Sequence, residues 1–275
     1  MPLKVWFITG TSRGFGREWA IAALERGDKV VATARKLDAL KDLADKYPTT
    51  MLPLELDVTN KAAVTAAVDQ GYEHFGHLDV VVNNAGYGLF GMVEEVSEAQ
   101  ARAQMETNFF GALWVTQAAL PHLRVQKSGH IIQVSSIGGI TAFPSIGLYH
   151  ASKWALEGFS QSLAQEVRGF GIRVTLVEPG GYDTDWSGSS AVHAEPLPNY
   201  DTLRKVVAAG RKAALRGDPV ATRAAILKVV DAERPPLRVF FGEAPLGMAK
   251  SDYAARIATW EEWNAVSLEA QGSRA

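Results

Sequence analysis

Tyr149 and Lys153 stand at i and i+4, a spacing that puts both side chains on one face of a helix. A phenol titrates near pH 10, too high to exchange protons at neutrality unless its anion is stabilised. An ammonium about 5 Å away, at an effective dielectric near 20, contributes on the order of 3 kcal/mol, or roughly two pKa units. The pair therefore has the makings of a proton donor and acceptor for an oxygen. Ser136 lies upstream in the turn that follows the apolar run His130 to Val134, so its hydroxyl can emerge at the same sheet edge and hydrogen-bond a substrate oxygen. Asn108 falls among Phe109, Phe110 and Leu113, where a buried amide needs partners. Two readings of it stay open: a satisfied core amide, or a link that holds water in a proton path from Lys153.

A second cluster sits near the start of the chain, in Thr9-Gly10-Thr11-Ser12-Arg13-Gly14-Phe15-Gly16. Glycines between a strand and a helix permit a tight turn and let backbone N–H groups and a helix N-terminus approach a pyrophosphate. Gly10, Ser12, Arg13, Gly14, Phe15 and Gly16 are the candidate phosphate loop. NAD-binding folds usually end their second strand in an acid that accepts from the ribose hydroxyls. Here that place holds Ala34 followed by Arg35. Arg35, with Arg13 as a second cation, offers a fork of donors to a 2′-phosphate, and NADP(H) is the expected cofactor.

These residues need a scaffold. Short Val/Ile/Phe-rich runs at Lys4 to Thr9, Val30 to Thr33, Met51 to Leu56, Leu78 to Val82, His130 to Val134, Arg173 to Val177 and Leu237 to Phe241 read as seven buried strands. Segments of helical period separate them; from Lys61 to Phe75, the residues Val64, Ala67, Val68, Gly71 and Phe75 share one face. Strand alternating with helix predicts a doubly wound α/β fold, a seven-stranded parallel sheet of Rossmann type with helices on both faces. Ser97 and Gln100 fit a capping box that opens a long helical region running toward Pro121. Pro179 to Asp218, rich in Gly and Pro, breaks the rhythm and reads as a substrate loop or lid. The region Tyr253 to Ala270 reads as helical, with fraying over Gly272 to Ala275.

Composition narrows the field. The 275 residues read as one dinucleotide-binding domain spanning 1–275. A net charge of −2 argues against nucleic acid as a partner. The absence of cysteine removes disulfides, thiolate metal sites and cysteine nucleophiles, and the six histidines show no ligand spacing, so no metal is expected. No signal peptide and no membrane-length apolar run stand out, which predicts a soluble, cytoplasmic protein.

The ordered set TGxxxGxG at Thr9 to Gly16, LDV ending in Val58, NNAG at Asn83 to Gly86, Asn108, Ser136, YxxxK at Tyr149 to Lys153 within YHASK, and Pro179-Gly180 followed by Thr184 resembles the short-chain dehydrogenase/reductase family. The general look beyond Thr184 is similar to the branch with 17β-hydroxysteroid dehydrogenase-like members. The resemblance implies that Tyr149 is the general acid/base, that Ser136 orients the substrate oxygen, that Lys153 holds the nicotinamide ribose and lowers the Tyr149 pKa, and that Asn108 holds the relay water. It implies adenine contact by Asp57, with Val58 beside it, adenosine-ribose packing by Asn84, Ala85 and Gly86, and carboxamide contact by Thr184 after Pro179 and Gly180.

Leu89, Phe90, Phe143, Ile146, Tyr182 and Trp186 fall on loops at the reactive edge and predict an apolar ketone or aldehyde, or the corresponding alcohol, as substrate. The resemblance further implies a homodimer, with a tetramer as the alternative, paired through Asn108 to Gln126 and Tyr149 to Arg168. The rival class is a dinucleotide-sensing regulatory protein that keeps the fold without turnover.

Overall fold

Seven short apolar runs, none with an interior charge pair to expose, must each be covered on both faces, and a parallel sheet between two helix layers does this. The computed structural model describes residues 3–213 and 215–272. In chain order the elements are β1 (Val5–Thr9), α1 (Gly14–Glu25), β2 (Lys29–Ala34), α2 (Lys41–Lys46), β3 (Met51–Glu55), α3 (Lys61–Phe75), β4 (Val80–Asn83), β5 (Leu89–Phe90), α4 (Glu98–Met105), α5 (Gly111–Gln126), β6 (Gly129–Val134), α6 (Gly147–Glu166), β7 (Ile172–Pro179), β8 (Val192–His193), α7 (Asp201–Ala213), α8 (Thr222–Asp231), β9 (Arg238–Phe241), α9 (Ala244–Glu262) and α10 (Asn264–Gln271).

The main sheet runs β3-β2-β1-β4-β6-β7-β9, with every pairing parallel. Side chains alternate across it. Trp6 and Ile8 of β1 join Trp19, Ala23 and Ile226 beneath α1 and α8. Val5 and Phe7 of the same strand join Val64, Val68, Val115 and Leu163 beneath α3, α5 and α6. Strand order reverses between β1 and β4, and the crevice beyond the carboxyl ends there is where ligands bind in such sheets. The candidate residues at Gly10, Asn84, Ser136 and Thr184 all follow strands of this edge.

Four details depart from the sequence reading. The helical region opened by the Ser97–Gln100 capping box contains a π turn over Glu106–Phe110 and continues through Pro121 to Gln126. Pro121 is exposed, as is Gln117, so the carbonyl deprived of its N–H partner faces water. The segment 179–218 is no plain loop: β8 pairs with β5, and α7 is a 13-residue helix. Its helical period was hidden because its half-buried positions include Arg204 and Arg211, which do not score as apolar. The C-terminal helix is two, broken at Trp263; Ser273 to Ala275 of the expected frayed end, and Ala214 of the expected lid, lie outside the described residues. Among the described residues no helix is long and apolar enough to cross a membrane.

Candidate active site

The glycine loop leaves β1 and opens α1. Gly10 has φ +71°, a conformation that side chains rarely adopt, and a Cβ on it would stand 3.0 Å from the Ala85 Cα. Gly16 is fixed by contact instead: a Cβ there would lie 2.4 Å from Asn84 Nδ2 and 2.5 Å from the Gly10 carbonyl oxygen. Asn84 Nδ2 donates to the carbonyls of Thr9 at 2.9 Å and Gly10 at 3.0 Å, and Thr9 Oγ1 accepts from the amides of Asn84 and Ala85, both at 3.0 Å. The loop and the turn after β4 are thus one locked cradle at the N-terminus of a 12-residue helix, with Ser12 half-buried in its turn. This is the environment a dinucleotide pyrophosphate requires. Thr184 closes the far side, 3.8 Å from where a Gly14 Cβ would be. Pro179 ends β7, and the Gly180 amide donates to the Phe241 carbonyl at 2.9 Å.

The two arginines assigned to a 2′-phosphate differ. Arg35 is exposed just past β2 and makes no side-chain hydrogen bond or ion pair among the described residues. Arg13 pairs with Asp185 and donates to Ser189 Oγ at 3.1 Å, so it clasps the 185–190 turn to the glycine loop rather than standing free. Asp57 is exposed and accepts from the Thr59 amide at 3.0 Å and its hydroxyl at 2.8 Å, while Val58 is buried under Gly111. Helix α3 is capped by Asn60.

Tyr149 and Lys153 are 7% and 6% exposed, both on the inner face of α6. Burial dominates the Tyr149 phenol and pushes its pKa up to about 12, against a smaller lowering by Ser136. Lys153 Nζ donates to the Val134 carbonyl at 2.7 Å and lies 5.8 Å from the Tyr149 ring centroid. Burial lowers its pKa to about 8, opposed by the charge of Glu157 one turn further on. The amine is held by the end of β6, and burial sets the direction of the phenol's shift.

Asn108 sits in the π turn, 2% exposed. Its Oδ1 accepts from the Tyr87 amide at 3.1 Å, and Nδ2 donates to the Tyr87 carbonyl at 3.1 Å and Ser152 Oγ at 3.2 Å. The side chain is a satisfied clamp between α6 and the turn after Gly86, whose missing Cβ would stand 3.0 Å from Asn108 Oδ1. Of the two readings, the side-chain geometry matches the satisfied core amide.

Of the six apolar candidates, Phe90 and Ile146 pack with Tyr149, and Phe143 and Trp186 pack against them. Trp186 meets Tyr149 edge-on at 4.9 Å and Phe90 at 5.1 Å. The other two go elsewhere. Leu89 is 1% exposed because β5 directs it inward, and Tyr182 packs on Phe15 at 5.0 Å over the α1 core, drawn there by the close approach of Gly217.

Three groups escaped the sequence reading. His150 Nδ1 lies 2.8 Å from the Gly138 carbonyl and Nε2 accepts from the Phe143 amide at 2.9 Å, so the neutral ring staples the loop between Ser136 and Tyr149. Burial lowers its pKa, which favours that neutral form. Glu157 and Glu178 are buried together against Arg238, which donates to Glu157 at 2.9 Å and stands 3.4 Å from Glu178. Burial raises both above the usual carboxylate range, and the Glu157 charge pushes Glu178 further, to about 8, so the pair retains a proton. Arg211 reaches from α7 to the ring of Phe90. The i+4 rungs from Tyr149 to Lys153 to Glu157 are visible in the sequence; the other contacts depend on elements far apart in the chain.

A profile of the short chain dehydrogenase family matches residues 4–194. Oxidoreductase BOA17 of Botryotinia fuckeliana is 44% identical over 269 residues, covering 96% of this chain and 98% of the relative. A short-chain dehydrogenase from Streptomyces avermitilis superposes with a TM-score of 0.92 at 36% identity over 98% of both chains. One enzyme of the group from Burkholderia phymatum, in complex with NAD, superposes at 0.78 with 25% identity over 90% of this chain and 92% of its own. Another from Burkholderia cenocepacia, in complex with NADP, gives 0.76 with 28% identity over 94% and 97%.

Proposed function

The chain belongs to the short-chain dehydrogenase family, and on that premise we propose that it is an NADP(H)-dependent carbonyl reductase, with Tyr149 as its acid/base. The observation that carries this reading is a phenol buried among apolar rings one helical turn from Lys153, at the sheet edge that also bears the glycine cradle. Neighbours binding NAD and NADP support a nicotinamide dinucleotide, and the choice of NADP rests on Arg35 standing where an acid would serve NAD. When bound, the dinucleotide supplies or accepts the hydride.

The protein's own part is proton placement. A phenol with a pKa pushed up to about 12 is fully protonated at neutral pH, the form needed to hand a proton to a carbonyl oxygen. Ser136 Oγ, itself fixed by accepting from the Gly138 amide at 2.9 Å, orients that oxygen. Lys153 places a positive charge on the same helix face, stabilising the phenolate formed in the transfer. Phe90, Ile146 and Trp186 exclude water and favour an apolar carbonyl compound.

The test is oxidation of NADPH and of NADH with a panel of aryl ketones, β-keto esters, steroids and retinals. Turnover with NADPH and an apolar ketone, reduced by about 100-fold or more in Tyr149→Phe, is expected. Full activity in that variant overturns the mechanism, and tight NADPH binding without turnover across the panel favours the sensing protein instead. We propose further that the chain forms a homodimer.

A further inference from the structure

On α7, Arg204 and Arg211 are two turns apart and both half-buried, yet they are served differently. Arg204 is paired at 2.6 Å with Glu95, whose carboxylate is fully buried, and lies 3.4 Å from the Leu197 carbonyl. Arg211 has no carboxylate: among the described residues its hydrogen bond is from Nη2 to Ser145 Oγ at 3.1 Å, and its guanidinium carbon lies 4.8 Å from the Phe90 ring centroid. A guanidinium carries five N–H donors, and leaving it half out of water without a counter-charge is costly. Arg13, Arg216, Arg223, Arg238 and Arg256 each have an acid within 4 Å, and Arg35, Arg124, Arg168, Arg173 and Arg234, which lack one among the described residues, are exposed; Arg211 is half-buried without one.

Its position is specific. Phe90 is the ring that packs with Ile146, Tyr149 and Trp186, so the cation touches the apolar cluster that surrounds the Tyr149 ring. Ser145, its hydrogen-bond partner, has φ +70°, a left-handed backbone rare for a side-chain-bearing residue and common where a site over-determines geometry. That strained turn is held in place by the Gly91 amide donating to the Ser145 carbonyl at 2.9 Å. The Arg211 charge also reaches His150, where it adds to burial in disfavouring the protonated ring.

We infer that Arg211 is the anion-binding end of the substrate pocket, and that the carbonyl compound handled at Tyr149 carries a carboxylate beyond an apolar spacer. This rests on the carbonyl reductase reading for the reaction, but not for the binding. The carboxylate would take the fork of donors that α7 presents, and the helix would close over the pocket with its ligand in place of the missing acid.

Para-acetylbenzoate and its methyl ester share a reducible ketone and differ in charge. The wild-type enzyme should prefer the acid, and in Arg211→Met the acid-to-ester ratio of kcat/KM should fall by about 10- to 100-fold. An unchanged ratio overturns the inference. If neither ketone is reduced, the reaction assignment fails by itself. The binding arm then decides: calorimetry of the NADP-loaded protein with para-ethylbenzoate and para-ethylbenzamide should show the acid bound more tightly, with that preference lost in Arg211→Met. Equal affinity for acid and amide in the wild type overturns the inference whatever the turnover.

Discussion

At the level of single residues, the site is governed by burial more than by neighbouring charge. Lys153, held at a pKa of about 8, is charged at neutrality and loses its proton just above it. The free-enzyme profile of kcat/KM for ketone reduction should therefore bend downward above about pH 8, as the ammonium that stabilises the phenolate disappears. A flat profile to pH 10 in steady-state assays would contradict this. Arg35 is the residue on which cofactor choice turns. Arg35→Asp should weaken NADPH by about 10-fold or more, the scale of one charge-assisted pair, and raise the relative use of NADH; fluorescence titration with both nucleotides measures it. Gly16→Ala should abolish binding of either, because the new methyl would meet Asn84 Nδ2 and the Gly10 carbonyl well inside contact distance.

Among the elements, β6, β7 and α6 carry buried ionisable groups whose shifts oppose one another. His130 on β6 is 4% exposed, lies 2.9 Å from Thr175 Oγ1, and has its pKa lowered to about 3, chiefly by burial and then by the charges of Arg173 and Lys4. The unfolded chain takes up that proton near pH 6.5 and the folded one does not, so stability is lost as pH falls from about 6.5 toward 3. The Glu157–Glu178 pair works the other way. Its raised pKa means the folded chain keeps a proton the unfolded chain has released, so stability is lost as pH rises through the pair's range above ordinary carboxylates. Thermal melts should peak between these limits. Glu178→Gln should flatten the alkaline slope, shifting Tm by a few degrees at about 2–4 °C per kcal/mol, and His130→Leu the acid slope. An unaltered slope in either variant would show that the group is not the one titrating.

For the whole molecule, the C-terminal helices expose a run of large apolar side chains: Ile257, Trp260, Trp263, Val266 and Leu268 are 46%, 62%, 60%, 51% and 66% exposed. Side chains of this size clustered in solvent mark association surfaces. We propose that this region is a contact surface beyond the helix pairing expected of a homodimer; Trp260→Ser with Trp263→Ser should then reduce the mass seen by light scattering. What the sequence by itself determined was whatever depends on local repetition. The seven strands and helix α3 followed from periodicity, the capping box from Ser97 and Gln100, and the Tyr149–Lys153 rung from 3.6-residue geometry, because each is settled by neighbours in the chain. Tertiary structure alone decided that Lys153 turns to Val134, that Tyr182 leaves the pocket for Phe15, that Arg13 is spent on Asp185, and that α7 brings Arg211 over Phe90. Those outcomes depend on burial and on partners between 19 and 172 residues apart, and the local pattern of the chain carries no information about either.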